Sequence, residues 1–418
     1  MRAVVQRSEI SGTIEAPPSK SFTHRALIAA ALANGRSTIL NPLSSQDTEV
    51  TAQILVELGK SIDAVEGAWT VSDDELRQPG ADLFCRESGT TLRLMTALCT
   101  LVNGRCRITG EPGLIKRPVG ELVRALQQLG ADCAANGDFP PVVTNNSFKG
   151  GSATIRGDIS SQFVSALLFV SPLGSIPTKI RLTTPLESLP YVRMTMSTMN
   201  EFGVSVGASE DLRLLETGVQ EYTARSYRVE GDWSSAAFFL AAGAVSGKVD
   251  VKGLNMESAQ ADIKILDILE RMGADVRKGS DGAAVSKSEL RAIDYNVGNC
   301  PDLFPVLAAL CSTAGGKSTI SGIRRLAIKE SDRVAEMEKG LTGMGIRFKR
   351  NGDSVEITGG DAKGSVIYAN DHRIAMAFGV LGMAARGAVT IENAGCVSKS
   401  FPDFWERMKD LDCDVGVG

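Results

Sequence analysis

Residues 30–40, AALANGRSTIL, run from an Ala-rich apolar stretch through a glycine into a short segment of alternating polarity. The pattern predicts a helix that ends near the glycine and is followed by a β-strand, because glycine is common just beyond a helix C-terminus. The same pattern occurs in TLVNGRCRITG (100–110) and in four later segments. Its glycines are spaced by 69 to 73 residues: Gly35, Gly104, Gly174, Gly247, Gly316 and Gly387.

A second marker lies between these segments, where an amphipathic stretch meets a strand-like one, as in VELGKSI (56–62). It also occurs six times, at Gly59, Gly130, Gly203, Gly273, Gly345 and Asp412. Only the last copy lacks the glycine. Two independent markers in one register indicate six copies of a unit of about 70 residues.

The helices of the repeat are of two kinds. In VGELVRALQQLG (119–130), apolar residues recur at helical spacing with polar residues between them, which predicts a half-exposed helix. SSAAFFLAAGAV (234–245) is apolar nearly all round, which predicts a buried helix. Each repeat is therefore predicted as strand, buried helix, strand, exposed helix and a short strand pair. Six repeats predict an α/β protein, most simply with two lobes of three.

The boundary between the lobes is predicted near residue 228, where SYRVEGDWSSAAFF would open the fourth repeat. The N-terminal strand, RAVVQRSEISGTIEA (2–16), precedes the first buried helix and could belong with either lobe.

Composition narrows the class of protein. The 418 residues are 43% hydrophobic and 22% charged, which is typical of a globular protein. A net charge of −4 argues against nucleic acid as a partner. No apolar run approaches ~18 residues, so neither a signal peptide nor a membrane span is expected. Eight cysteines without a CxxC pair suggest a reducing, cytoplasmic compartment, and two histidines make zinc improbable.

Cationic side chains recur in the polar loops that precede the helices. Serine caps or solvated salt bridges would explain any single loop, but the loops share one phase of the repeat. Helix N-termini favour anions, so converging loops of this kind would bind a small polyanion. The cations are Lys20, Arg25, Arg93, Lys116, Arg117, Arg193, Lys329, Arg333, Arg373 and Lys399.

Nine motifs follow one another from about residue 10 to 408: PSKSFTHRALIAAALANG, SGTTLRLM, KRPVGELVRAL, GDISSQFVSALL, SLPYVRMT, EGDWSSAAFFLAAGA, IKESDRVAEM, NDHRIAMAF and CVSKSFPDF. Together they resemble the 5-enolpyruvylshikimate-3-phosphate (EPSP) synthase family. The resemblance implies an inside-out α/β barrel of two pseudo-threefold domains, each with three βαβαββ repeats, and an active site in the cleft between them. It assigns the N-terminal strand to the second lobe, so that residues 1–16 join 228–418 and residues 17–227 form the other domain.

The resemblance also implies a reaction, transfer of the enolpyruvyl group of phosphoenolpyruvate to the 5-hydroxyl of shikimate 3-phosphate with release of phosphate. Shikimate 3-phosphate would be bound by Lys20, Ser21, Arg25, Ser160, Ser161, Gln162, Ser188, Tyr191, Asp302 and Lys329. Phosphoenolpyruvate would be bound by Lys20, Gly89, Arg117, Gln162, Arg333, Arg373 and Lys399.

The acid and base roles follow from charge. Neighbouring cations should depress the pKa of both Asp302 and Glu330, which favours base roles. Asp302 is therefore expected to be the base for the hydroxyl, and the proton donor to the methylene carbon stays open between Glu330 and Lys20. No metal or organic cofactor is expected. The protein is expected to be a monomer.

Two positions depart from the family pattern. Glu87-Ser88-Gly89-Thr90 stands where many members have Asn-Ala-Gly-Thr, which bears on sensitivity to the inhibitor glyphosate. Arg325 stands where an asparagine often contacts the phosphate of shikimate 3-phosphate.

Two alternative functions share some of these features. One is the sister enzyme that uses UDP-N-acetylglucosamine, although no counterpart of its reactive-cysteine loop is seen. The other is a repeat-built clamp without catalysis, which would not explain acid and base residues beside the cationic loops.

Overall fold

The computed structural model describes residues 1–418, which form two compact units. The continuous unit is Pro18–Val229, and the discontinuous unit combines Met1–Pro17 with Glu230–Gly418. None of the helices combines the length and the apolar character that crossing a membrane requires.

The α-helices alternate between the two predicted kinds, with odd-numbered helices buried and even-numbered helices amphipathic. They are α1 (Lys20–Leu32), α2 (Gln46–Glu57), α3 (Gly89–Leu98), α4 (Gly120–Gln128), α5 (Ser161–Val170), α6 (Leu189–Glu201), α7 (Trp233–Ser246), α8 (Ile265–Arg271), α9 (Phe304–Thr313), α10 (Arg333–Gly343), α11 (His372–Gly382) and α12 (Phe404–Asp410).

The strands are short and lie between the helices. They are β1 (Arg2–Val5), β2 (Ile10–Glu15), β3 (Ala33–Asn34), β4 (Ser37–Leu40), β5 (Ile62–Val65), β6 (Ala68–Val71), β7 (Leu83–Phe84), β8 (Cys106–Thr109), β9 (Asp132–Asn136), β10 (Phe139–Asn145), β11 (Gly151–Ile155), β12 (Thr178–Leu182), β13 (Gly207–Ala208), β14 (Leu214–Thr217), β15 (Tyr222–Thr223), β16 (Ser226–Arg228), β17 (Gly247–Lys252), β18 (Asp275–Lys278), β19 (Gly282–Ser286), β20 (Asp294–Asn296), β21 (Lys317–Ser321), β22 (Arg347–Asn351), β23 (Ser354–Thr358), β24 (Lys363–Tyr368), β25 (Arg386–Glu392) and β26 (Val415–Val417).

Six four-stranded sheets share one topology, as the repeat predicts. In the order β11-β12-β14-β13, the first two strands are parallel and the others are antiparallel to their neighbours. The buried helix α5 makes the crossover that a parallel pair requires, and α6 leads into the terminal hairpin. The other five sheets are β16-β4-β6-β5, β7-β8-β10-β9, β2-β17-β19-β18, β20-β21-β23-β22 and β24-β25-β1-β26.

The sequence prediction for the opening of the fourth repeat was wrong. Strand β16 (Ser226–Arg228) does not precede α7 in its own sheet but pairs in parallel with β4, and so completes the first sheet of the continuous unit. The fourth repeat instead opens with β2, which pairs in parallel with β17. Alternation of polarity specifies which face of a strand is buried, but not the sheet edge with which the strand pairs. Sequence spacing therefore could not reveal that β2 and not β16 opens the fourth repeat.

The N-terminal strands, which sequence spacing alone left with either lobe, both lie in the discontinuous unit. Strand β1 is antiparallel to both β25 and β26 and therefore completes the last sheet. Residues at opposite ends of the chain thus share a sheet.

The second sequence marker is a helix C-cap. All five of its glycines have positive φ, between 85° and 102°, and Asp412 takes the same left-handed conformation with φ 63°. In every repeat the next residue donates its N–H to a carbonyl five residues earlier, as Ala131 does to Leu126 at 3.0 Å and Cys413 to Met408 at 3.1 Å. This is the Schellman geometry, and aspartate is one of the few non-glycine residues that tolerate it.

The buried helices form the core of each unit. In the discontinuous unit α7, α9 and α11 all pack against one another, and in the continuous unit α3 packs against both α1 and α5. Helix α7 buries all of its residues except Val245, because it is apolar on every side. Within the continuous unit, side-chain hydrogen bonds join the first turns of α3 and α5 and link α1 to α3 through α2. Within the discontinuous unit, ion pairs join the segment before α9 to the starts of α10 and α11.

Candidate active site

Three helix N-termini of the continuous unit carry serine caps. Ser19, Ser88 and Ser160 accept hydrogen bonds from the first-turn N–H groups of α1, α3 and α5. The structural role of these serines is therefore real, and it is compatible with binding. The remaining free N–H groups and the helix dipoles make each N-terminus favourable for an anion.

Arg25 is the most informative cation of this unit. Its residue is 4% exposed, yet all of its hydrogen bonds go to uncharged acceptors. It donates from Nη1 to the Ser21 carbonyl at 2.8 Å, from Nη2 to the Tyr191 carbonyl at 3.0 Å and from Nε to Thr195 Oγ1 at 2.9 Å. Burial lowers the pKa of Arg25 to about 10, so it remains charged at neutral pH. A buried guanidinium without a carboxylate partner favours an anionic ligand.

Lys20 lies at the start of α1 beside an acidic residue that the sequence reading did not single out. Its Nζ is 3.0 Å from Oδ2 of Asp47, and both side chains are largely buried. Asp47 lies in the first turn of α2, 27 residues away. Nothing in the local motif PSKSFTHR points to this partner.

Gln162 joins the starts of α5 and α3. Its Oε1 accepts from Arg93 Nη1 at 2.7 Å, and its Nε2 donates to Thr90 Oγ1 at 2.9 Å. A Cβ at Gly89 would stand 2.8 Å from Arg93 Nη1 and 3.0 Å from Arg117 Nη1, so glycine allows both guanidinium groups to approach the helix start. Arg93 is one of the predicted loop cations but has no ligand assigned from the sequence. Its place four residues after Gly89 is the local signal that it lies at this helix start.

The departure from the family pattern at Glu87 places a carboxylate beside a buried cation. Glu87 Oε2 lies 3.6 Å from Arg117 Nη2, and the Arg117 side chain is much less exposed than that of Glu87. An anion that binds Arg117 must therefore compete with Glu87, whereas an asparagine would carry no such charge.

The remaining predicted residues of this unit lie at two helix starts. Ser161 is the buried first residue of α5. Ser188 is buried before α6 in the left-handed conformation, with φ 55° and ψ 42°. The hydrogen bond from Arg25 to Tyr191 ties α6 to α1.

His24, which the motif analysis left without a role, belongs to a buried hydrogen-bonded chain. Its Nδ1 lies 2.8 Å from Thr51 Oγ1, which lies 2.7 Å from Thr91 Oγ1, and Thr91 donates to Ser88 Oγ at 2.7 Å. Since Ser88 caps α3, the chain connects α1 through α2 to the Gly89 helix start. We infer that His24 positions this helix start relative to Lys20 and Arg25.

The neutral state of His24 gives a pH prediction. Burial lowers its pKa from 6.5 to about 3, against the attraction of Asp47 and together with the repulsion of Lys20 and Arg25. Between pH 6.5 and 3 the unfolded state binds the additional proton, so stability falls as the pH falls through this window. Replacing His24 with glutamine should reduce the loss of unfolding free energy between pH 7 and pH 4 by about 3 kcal/mol, as measured by urea unfolding. An unchanged difference between the two pH values would contradict a neutral buried imidazole.

The discontinuous unit carries a denser charge cluster around Asp302, just before α9. Asp302 lies 2.7 Å from Arg333 Nη1, 3.0 Å from Arg373 Nη2 and 3.9 Å from Lys329 Nζ. Burial by itself would raise the pKa of Asp302, but Arg373, Lys329 and Arg333 hold it well below its usual range. Asp302 is therefore a carboxylate at neutral pH and can accept, not donate, a proton.

Arg333 links three carboxylates. Its residue is 1% exposed, and its nitrogens lie 2.7 Å from Asp371, 2.7 Å from Asp302 and 2.8 Å from Glu330. Asp371 also accepts the N–H of Arg373 and so caps α11. The Arg333 guanidinium thus holds together the starts of α10 and α11 and the segment before α9.

Lys329 and Asp262 both have shifted pKa values near Asp302. Burial lowers the pKa of Lys329 to about 8, although Asp302 opposes the shift. Burial and the charge of Asp302 raise the pKa of Asp262 to about 7, and the Ser234 hydroxyl donates to its carboxyl group. Asp262 could not be singled out from the sequence, because its neighbour Ser234 is 28 residues away and its burial is not visible in the motif QADIK.

Three predicted positions of this unit, Lys399, Arg325 and Glu330, remain to be placed. Lys399 ends the 3₁₀ segment Ala394–Lys399, and Arg325 donates from Nη2 to the Gly298 carbonyl at 2.9 Å. Glu330, one of two candidate proton donors, accepts from Arg333. No group of three or more His, Cys, Asp or Glu side chains is arranged to hold a metal ion.

Comparison with known proteins identifies the family. The model of the EPSP synthase (3-phosphoshikimate 1-carboxyvinyltransferase) family matches residues 4–408. A 3-phosphoshikimate 1-carboxyvinyltransferase of Dehalococcoides mccartyi is 41% identical and covers 98% of both chains. One from Methanocorpusculum labreanum is 40% identical, with 99% of both chains covered.

Structural similarity agrees with the sequence match. An EPSP synthase from Acinetobacter baumannii aligns over the whole of both chains with a TM-score of 0.83 and 25% sequence identity. This likeness confirms the expected fold class, the two-domain inside-out α/β fold. The chain therefore belongs to the EPSP synthase family, the enzymes that transfer the enolpyruvyl group of phosphoenolpyruvate to shikimate 3-phosphate.

Proposed function

We propose that the cations at the helix starts of both units hold the phosphate and carboxylate groups of the two substrates for one enolpyruvyl transfer to the 5-hydroxyl. The observation that carries this proposal is Arg25, a buried guanidinium whose protein partners are all uncharged. Two polyanionic substrates repel each other, so their approach to bonding distance requires positive charge that is already in place. Bidentate guanidinium groups suit both phosphate and carboxylate.

We propose the same two groups of substrate-binding residues that the family resemblance implies. Shikimate 3-phosphate is bound by Lys20, Ser21, Arg25, Ser160, Ser161, Gln162, Ser188, Tyr191, Asp302 and Lys329. Phosphoenolpyruvate is bound by Lys20, Gly89, Arg117, Gln162, Arg333, Arg373 and Lys399. Because Arg333 already joins three carboxylates, we propose that it acts on phosphoenolpyruvate mainly by fixing the position of Arg373.

The proposed proton transfers follow from the charge states. Asp302 takes the proton of the 5-hydroxyl while the hydroxyl oxygen bonds to the substituted carbon of phosphoenolpyruvate. The methylene carbon of phosphoenolpyruvate gains a proton in the same addition. Cleavage of the carbon–oxygen bond to phosphate and loss of a methyl proton then restore the double bond. The ion pair with Arg333 favours the carboxylate form of Glu330, so Lys20 is the better of the two proton donors that the sequence left open.

Phosphate release tests the proposed function. The protein should release phosphate from phosphoenolpyruvate only when shikimate 3-phosphate is present, with no release when UDP-N-acetylglucosamine replaces it. Release that does not depend on shikimate 3-phosphate, or no release with it, would overturn the proposal. The proposal also includes a monomeric, cytoplasmic enzyme, and sedimentation of the purified protein tests its oligomeric state.

A further inference from the structure

A polar cavity lies in the continuous unit, at the C-terminal ends of its buried helices. It has a volume of about 460 Å³ and is bordered by the end of α1 and by the turns that follow α3 and α5. The proposed substrate residues lie at the opposite ends of these helices. Because α1 has 13 residues, about 20 Å of helix separates its two ends.

Lys60 is the unusual residue of this cavity. It directly follows the αL glycine Gly59 at the end of α2, and the other five repeats have Ala131, Val204, Ala274, Ile346 and Cys413 at the same position. That position normally makes an apolar contact with the end of its helix. A lysine among five apolar or small residues has no explanation in the fold of the repeat.

The charges of Asp74 and Asp73 act on the Lys60 ammonium group, but neither carboxylate is bonded to it. The residue is only 6% exposed and lines the cavity, and its Nζ makes neither a hydrogen bond nor an ion pair. A largely buried ammonium group that makes no hydrogen bond is unfavourable. An anionic group of a ligand in the cavity would remove this penalty.

The opposite charge lines the same cavity. Asp73, Asp74 and Glu75 follow one another along its wall, and Asp74 accepts hydrogen bonds from the hydroxyls of Ser61 and Ser72. Asp73 and Glu75 are exposed and form no ion pair. These carboxylates would repel a simple anion, and Lys60 would repel a simple cation.

Another part of the wall is apolar, beside the polar side chains of Asn34 and Asn103. Leu32, Leu101 and Leu173 are half-buried and border the cavity together with Leu76. A ligand that matches all three features has an anionic group for Lys60, a cationic group for the Asp73–Glu75 side and an apolar part for the leucines. We propose that this cavity binds a zwitterionic α-amino acid with an apolar side chain, whose carboxylate pairs with Lys60 and whose ammonium group pairs with Asp73 or Glu75.

Calorimetric titration of the whole protein tests this site without reference to catalysis. L-phenylalanine and L-leucine serve as probes, and 3-phenylpropanoate and 2-phenylethylamine lack the ammonium and the carboxylate group, respectively. We expect saturable binding of at least one amino acid and at least tenfold weaker binding of both truncated compounds. No binding of either amino acid up to 10 mM, or binding of a truncated compound as tight as that of its parent, would overturn the proposal.

Variants assign the binding to this cavity. Lys60→Met should weaken amino-acid binding at least tenfold, and Asp73→Asn together with Glu75→Gln should weaken it several-fold. Lys248→Met alters an exposed lysine of the other unit and should leave binding unchanged. Lys60→Met removes a largely buried charge that makes no hydrogen bond, so we expect it to fold and to retain phosphate release. Unchanged binding in Lys60→Met would place the amino acid elsewhere and refute the site.

Discussion

Replacing Lys20 with methionine should lower the rate of phosphate release by about 10³-fold, the upper end of what one preorganised donor contributes. The substitution removes a cation at the start of α1 and leaves Asp47 Oδ2 without the ammonium group that lies 3.0 Å away. The uncovered carboxylate would then repel the anionic substrates. The initial rate at saturating concentrations of both substrates measures the effect.

Two further variants separate these contributions. Lys20→Met combined with Asp47→Asn should recover part of the binding of shikimate 3-phosphate but not the turnover. Lys179→Met removes an exposed lysine paired with Glu216 in the same unit, and its turnover should match that of the wild type. If Lys20→Met keeps wild-type turnover, Lys20 has no place in the site.

Replacing Arg333 with methionine should lower the unfolding free energy of the protein by about 3–5 kcal/mol, the usual effect of removing one partner from a buried ion pair. Arg333 is 1% exposed, and its loss leaves Asp371 and Glu330 without their guanidinium partner. Asp302 retains its ion pairs with Arg373 and Lys329, so the loss of positive charge mainly affects the other two carboxylates. Urea unfolding at pH 7 measures the change.

An exposed ion pair is the matched control. Arg386 pairs with Asp361 at 2.7 Å, but both side chains are largely exposed, so Arg386→Met should change stability by at most about 1 kcal/mol. Arg333→Lys should recover only part of the loss, because one ammonium group cannot span three carboxylates at the guanidinium geometry. Equal effects of Arg333→Met and Arg386→Met would mean that the Asp302 cluster does not stabilise the unit.

The candidate site was only partly predictable. Cations at helix starts were found because each depends on a local motif and on the phase of the repeat. Their partners were not found, because Arg25 and Thr195 are 170 residues apart and Arg333 and Asp302 are 31 apart. Asp262 was missed for the same reason, since the charge of Asp302 and its own burial, not its motif, shift its pKa.

The six repeats, their two kinds of helix and the turns that end the exposed helices could all be predicted from the sequence. These features depend on local physics: helical spacing of apolar residues, and a left-handed residue at the helix end that even Asp412 can supply. The partners of β1, β2 and β16 emerge only in the folded chain, where β1 and β2 join the discontinuous unit and β16 pairs with β4. The edge of a sheet can pair with any strand of suitable polarity, so the pairing partner depends on how the whole chain packs. Charge state was decided in the same way, because the pKa of Asp302 depends on cations that only the folded chain brings within 4 Å.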